Sequence, residues 1–160
     1  MREALLLARE AAADGEVPVG CVITLEDRIV GRGRNRREKG KTALAHAELE
    51  AIGEACRTLG GWRLWQCTLY VPLERGPMCA VAILTAPPPR VVGGAIDPPS
   101  GAAGSLVDLL HLPGCFQPEV SGGILEAECS QALRDFFRTL RQARASCKDA
   151  DEKKEGTLYA

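Results

Sequence analysis

An excess of charge of either sign is missing from this chain. Its 160 residues carry 20 Lys and Arg against 21 Asp and Glu, a formal net charge of −1. That balance excludes a globally basic nucleic-acid binder, so any basic surface must be local. Long apolar runs are missing as well, and no stretch is long enough to cross a bilayer. The opening Met1-Arg2-Glu3-Ala4-Leu5-Leu6-Leu7-Ala8-Arg9-Glu10 does not read as a signal peptide, because its apolar patch is short and interrupted by charge. A cytoplasmic protein with no membrane partner is expected. A paired cysteine framework is also lacking: Cys21, Cys56, Cys67, Cys79, Cys115, Cys129 and Cys147 are odd in number and irregularly spaced. In a cytosolic chain they read as free, mostly buried thiols. No internal repeat is present.

What is there suffices for one domain with a sizeable core. Ala4, Leu5, Ala8, Ala11 and Ala12 recur at helical spacing over Arg2 to Ala13, and Asp14-Gly15 ends that helix. Val17 to Thr24 reads as a buried strand, with Arg28 to Arg32 as its hairpin partner. Arg36 to Lys41 is a charged, solvated connection. A helix from about Ala45 to Leu59 stops at Gly60-Gly61. Thr68 to Val71 is a strand, Pro77 opens a helix through Leu84, and Arg90 to Ala95 is a strand. Asp97 to Gly104 reads as a Pro/Gly-rich loop and Ser105 to His111 as a short helix. A weakly signalled strand at Glu119 to Ser121 precedes a last helix from about Leu125 to Arg144. The expected domain is residues 1–146, and residues 147–160 read as a polar, disordered tail. Alternating helices and strands predict a three-layer α/β/α protein with a central mixed sheet of about five strands.

The chemistry concentrates at His46-Ala47-Glu48, where a loop becomes an apolar-striped helix. An imidazole can hold a metal ion there while the nearby carboxylate carries protons without occupying the metal. A lone histidine at a helix start is ordinarily structural or solvated. Glu48 beside it, and Cys79 at the start of another helix, raise this one. A thiolate is favoured near a helix N-terminus, where free N–H groups attract negative charge. Imidazole and thiolate suit Zn²⁺, but a catalytic zinc takes three protein ligands. Cys21 and Cys67 read as core thiols, and Cys115, in a loop, is the least implausible third ligand. Asn35 can donate to and accept from a substrate. On the last helix Leu133, Phe136, Phe137 and Leu140 form an expected buried stripe. Arg134, Arg138, Arg141 and Arg144 share a face that is either solvated or a phosphate-contact strip.

Over about residues 2 to 140 the chain resembles the bacterial tRNA-specific adenosine deaminases of the cytidine-deaminase-like superfamily. The segments that carry the resemblance include Glu16-Val17-Pro18-Val19-Gly20, Gly33-Arg34-Asn35-Arg36, His46-Ala47-Glu48, Thr68-Leu69-Tyr70-Val71, Leu73-Glu74 and Pro77-Met78-Cys79-Ala80. Gly101-Ala102-Ala103-Gly104-Ser105-Leu106 and Leu133-Arg134-Asp135-Phe136-Phe137 are specific to this branch and argue against a free-cytidine deaminase. The resemblance implies a cytidine-deaminase-like fold, one Zn²⁺ per chain, and hydrolysis of adenosine to inosine at the wobble position of a tRNA anticodon. It also implies a homodimer and a flipped-out base. His46 and Cys79 are then zinc ligands and Glu48 the general acid/base. Asn35 contacts the base, and Asp97, Phe137, Arg138 and Arg141 face the anticodon stem-loop.

Departures from the family pattern cluster at this site. The family's Pro-Cys, the first of its two zinc cysteines with the proline before it, is replaced by Arg75-Gly76, and Gly76 offers no ligand. Thr42-Ala43-Leu44 replaces Asp-Pro-Thr, Pro72 replaces a threonine, and Gly93 replaces an aromatic. Two readings stand. One is a working zinc deaminase whose third ligand is water or another side chain. The other is a catalytically silent relative that acts as an RNA-binding or partner subunit.

Overall fold

The computed structural model describes residues 1–97 and 101–157, with side chains up to residue 146 in the last helix. Five strands form one sheet: β1 (Gly20–Leu25), β2 (Arg28–Arg34), β3 (Cys67–Leu73), β4 (Arg90–Ala95) and β5 (Glu119–Ser121). Their order is β2-β1-β3-β4-β5. β1 runs antiparallel to both β2 and β3, whereas β3–β4 and β4–β5 are parallel. The helices are α1 (Arg2–Ala13), α2 (Arg37–Gly40), α3 (Ala47–Leu59), α4 (Pro77–Thr85) and α5 (Glu126–Thr157). The sheet is mixed, as expected.

Two apolar layers enclose it. On one face Ala47, Ala51 and Ala55 of α3 and Ala80 and Ile83 of α4 pack on Ile23, Leu69, Val71 and Val91. Toward the other face Leu5 of α1 and Cys129 of α5 close over Ala95. Small residues let α3 lie close on the sheet, and β2 answers with glycine. A Cβ at Gly33 would collide with the carbonyl oxygen of Ala47, and one at Gly31 with that of Ala51. This close seating fixes the N-terminus of α3, and with it His46 and Glu48.

Three expectations are corrected. The charged connection Arg36 to Lys41 contains the one-turn helix α2, ended by Lys41 in the left-handed region (φ 48°). The helix expected over Ser105 to His111 does not form. Ser105 donates its N–H to Glu74, Leu106 and Val107 donate to Gly101 O, and Leu109 donates to Ala102 O. None of these acceptors lies four residues back, as a helix requires, so the segment folds as turns with one isolated bridge, Ala103 to Asp108. The last helix runs to Thr157 rather than to about Arg144. Ala, Lys and Glu dominate that extension, and all three are strong helix formers. Residues 98–100 of the expected Asp97 loop, and 158–160 of the tail, lie outside the described residues. No helix among the described residues is long and apolar enough to cross a membrane.

Candidate metal centre and base pocket

His46 caps α3 in an extended conformation (φ −88°, ψ 147°), which puts Glu48 in the helix's first turn. Gly76 caps α4 in the same way (φ −71°, ψ 171°), followed by Pro77, and Cys79 lies in that first turn. The two helices begin at the ends of β2 and β3, and their N-termini converge. His46, Glu48 and Cys79 each offer one ligand atom, all within 4.8 Å of one another. Cys79 Sγ lies 3.4 Å from His46 Nδ1. Burial, the Glu48 charge and a hydrogen bond from the thiol to the Glu48 carboxylate push the Cys79 thiol well above its ordinary pKa, and the Arg75 charge only partly opposes them.

Above this cluster is a cavity of about 200 Å³ whose lining includes Asn35, Arg37, Glu74 and Asp97. Asn35 is buried. Its amide donates to Glu16 Oε2 at 3.4 Å, while Glu16 Oε1 accepts the Lys39 N–H at 2.8 Å. Glu16, 1% exposed, therefore orients Asn35. Asp97 donates its N–H to Glu74 Oε2 at 3.1 Å. The structure thus brings His46, Glu48, Cys79, Asn35 and Asp97 together. Phe137, Arg138 and Arg141 do not line this cavity. None of the stripe expected to be buried is so: Leu133, Phe136 and Leu140 are half-buried, and Phe137 is 41% exposed and meets Phe136 edge-on at 5.4 Å. A larger groove of about 470 Å³ between α1 and α5 is lined by Arg9, Asp135 and Phe136 among others, but the metal donors sit in the smaller cavity.

Two buried charged residues carry more than the sequence suggests. Glu74 is a hub: Ala103, Ser105 and Asp97 donate their N–H groups to its carboxylate, and the Ser105 hydroxyl adds a short bond. Arg75 is 2% exposed, and its Nε and Nη1 have no hydrogen-bond partner. Burial lowers its pKa, while Glu48, then Cys21 and Glu74, pull it back up. A Cβ on Gly93 would stand 3.3 Å from Arg75 Nη2. A side chain at position 93 would therefore press on the Arg75 guanidinium.

The donors present fit a metal ion in kind: an imidazole, a carboxylate and a thiol. Gly76 supplies none, and a Cβ built there meets nothing within 4 Å. Cys21 is buried, Cys67 lies at the opposite end of β3, and Cys115 is exposed on its loop; none belongs to the cluster.

Residues 1–95 match the family described as the cytidine and deoxycytidylate deaminase zinc-binding region. A tRNA-specific adenosine deaminase of Bacillus subtilis is 44% identical over 149 residues, 92% of each chain. A tRNA(Ile)-lysidine synthase of Deinococcus deserti is 45% identical over 150 residues, which cover 93% of this chain and 28% of that protein. A solved structure from work on A-to-I editing by tRNA:A34 deaminases superposes with a TM-score of 0.79 at 41% identity, covering 83% of this chain and 97% of that one. With a His-Glu-Cys cluster at the starts of α3 and α4, this chain belongs to the zinc-binding cytidine and deoxycytidylate deaminase family, on its tRNA-specific adenosine deaminase branch.

Proposed function

We propose that this protein hydrolyses adenosine to inosine at the wobble position of a tRNA anticodon, in the cytoplasm and as a homodimer. The convergence of His46, Glu48 and Cys79 beneath a cavity flanked by Asn35 and Asp97 carries this reading. The relatives named for that reaction support it. A Zn²⁺ ion held by this cluster would lend Lewis acidity to an attacking water. His46 and Cys79 are two of its holders. Glu48 takes a proton from the water as its oxygen adds to C6 of adenine, gives a proton to the ring nitrogen, and helps the amine leave as ammonia. Water and adenosine become inosine and ammonia, and Glu48 returns to its starting state. Asn35, its amide nitrogen turned to Glu16, presents its carbonyl oxygen to a donor on the flipped base. Outside the pocket, Phe137, Arg138 and Arg141 face the anticodon stem-loop.

Gly76 favours a second reading, in which the domain binds the anticodon base without turning it over. Inosine formation on an adenosine-34 stem-loop, with zinc supplied, separates the two. The deaminase reading expects inosine that Glu48→Ala abolishes while stem-loop binding stays within about threefold, since proton transfer is worth at least 10²-fold in rate and binding rests on other groups. Binding without inosine from the unaltered chain would overturn it.

A further inference from the structure

A proton carrier for the attacking water should stand beside the metal without occupying it. In this chain that separation is hard to keep. With Gly76 mute, an ion on His46 and Cys79 has only two protein donors, and catalytic zinc takes three. Among the described residues, the group of candidate donors at this site is His46, Glu48 and Cys79.

The distances are those of a nearly formed site. Two donors on one tetrahedral zinc stand about 3.5 Å apart, given bonds of about 2.0 Å to nitrogen and 2.3 Å to sulfur. Cys79 Sγ and His46 Nδ1 are 3.4 Å apart. All three ligand atoms lie within 4.8 Å, so a shift of at most about 1.5 Å in the Glu48 side chain brings its oxygen to ligand spacing. The space beside Gly76 is open to that movement, since nothing lies within 4 Å of where its Cβ would be. A carboxylate also has two oxygens, and one can ligate while the other accepts a proton.

We propose that Glu48 is the third metal ligand of this protein as well as its proton carrier. The proton duty rests on the deaminase reading; the ligand duty does not. The arrangement has a cost. Each time Glu48 takes the water's proton it loses the charge that helps hold the ion, so metal affinity and proton transfer draw on one group. A cysteine at position 76 would separate the two duties.

The test is Zn²⁺ affinity by competition with a chromophoric chelator, on the full chain and on Glu48→Ala, Gly76→Cys and the double variant. Metal-free thermal unfolding, with the isosteric Glu48→Gln alongside, confirms that each is folded. In the original background Glu48→Ala should weaken zinc binding about 100-fold or more, since even residues that merely orient ligands are worth about 10–100-fold. In the Gly76→Cys background the same change should cost no more than about threefold, well under the 10-fold floor for orienting groups. Equal losses in both backgrounds would overturn the proposal, as would an original chain that binds no zinc. A chain that holds zinc through Glu48 but forms no inosine would keep the ligand assignment and overturn the deaminase reading instead.

Discussion

Cys79 Sγ stands 3.4 Å from His46 Nδ1 across 33 residues of chain. The pair meets because α3 and α4 both start at the end of the sheet where β2 and β3 finish. Gly76 caps α4 one turn before Cys79 with an ordinary φ of −71° and open space at its Cβ. Gly76→Cys replaces a favoured cap residue without a clash, so it should cost no more than about 1 kcal/mol of metal-free stability. With zinc it should raise inosine formation by about 10-fold or more, because Glu48 is released to proton transfer alone. Unfolding with a chelator present and turnover with zinc present measure the two halves. Equal turnover in variant and original would show that position 76 does not limit the reaction.

Arg75 is a buried cation without a hydrogen-bond partner at Nε or Nη1, and its nearby negative charge comes first from Glu48. It competes with a metal ion for the same carboxylate. Arg75→Met keeps the side-chain length and removes a buried cation whose Nε and Nη1 find no partner, so it should stabilise the fold by about 1–3 kcal/mol. Zinc affinity should rise with it. Urea unfolding without metal checks the first effect. A destabilised variant would mean that the guanidinium is better satisfied than its contacts indicate.

Glu74 ties the 101–109 segment to the end of β3. Burial raises its pKa, but bonds from the Ser105 hydroxyl and the Ser105, Asp97 and Ala103 N–H groups outweigh burial and hold it below its usual value of 4.5. A depressed folded pKa gives stability that is complete above the unfolded value and fades as pH falls through 4.5 toward the folded one. Glu74→Ala should cost about 2–3 kcal/mol at pH 7, the size of a lost charged hydrogen-bond hub. The gap between original and variant should narrow below pH 4.5. A gap that widens with acid would reverse the assignment.

Much of the fold is legible because its core elements repeat a simple pattern. Ala47, Ala51 and Ala55 mark the buried stripe of α3, and Pro77 after Gly76 marks the start of α4. His46, Glu48 and Cys79 were visible as types in suggestive places, and the fold supplies their meeting. What was not legible depends on partners distant in sequence. The turns over Ser105 to Leu109 follow from Glu74 and Gly101, not from local propensity. Leu133, Phe136, Phe137 and Leu140 read as core by spacing, but none is buried, since how α5 seats on the rest of the fold is not written in its own periodicity. Arg75 stands in the sequence only as a replacement for the family's proline, and its burial shows once the fold places it. Glu16 shows no signal of its own until Asn35 is placed against it.

The arginines of α5 separate by their partners. Arg138 Nη2 lies 2.7 Å from Asp135 Oδ1, and Arg134 donates to Gln131 at 2.9 Å. Among the described residues Arg141 forms no ion pair, and it lies about 20 Å along the axis from the start of α5. An arginine already paired to a carboxylate gives up part of its attraction for phosphate. If this face carries the anticodon stem, Arg141→Ala should therefore weaken stem-loop binding more than Arg138→Ala. Each lost phosphate contact should also lower the slope of log K against log salt by about 0.7–0.9. Binding titrations of both variants at several salt concentrations check the order and the slope. Equal affinities for Arg141→Ala and the original chain would make the arginine face a solvated surface and move the RNA path elsewhere, toward the groove between α1 and α5.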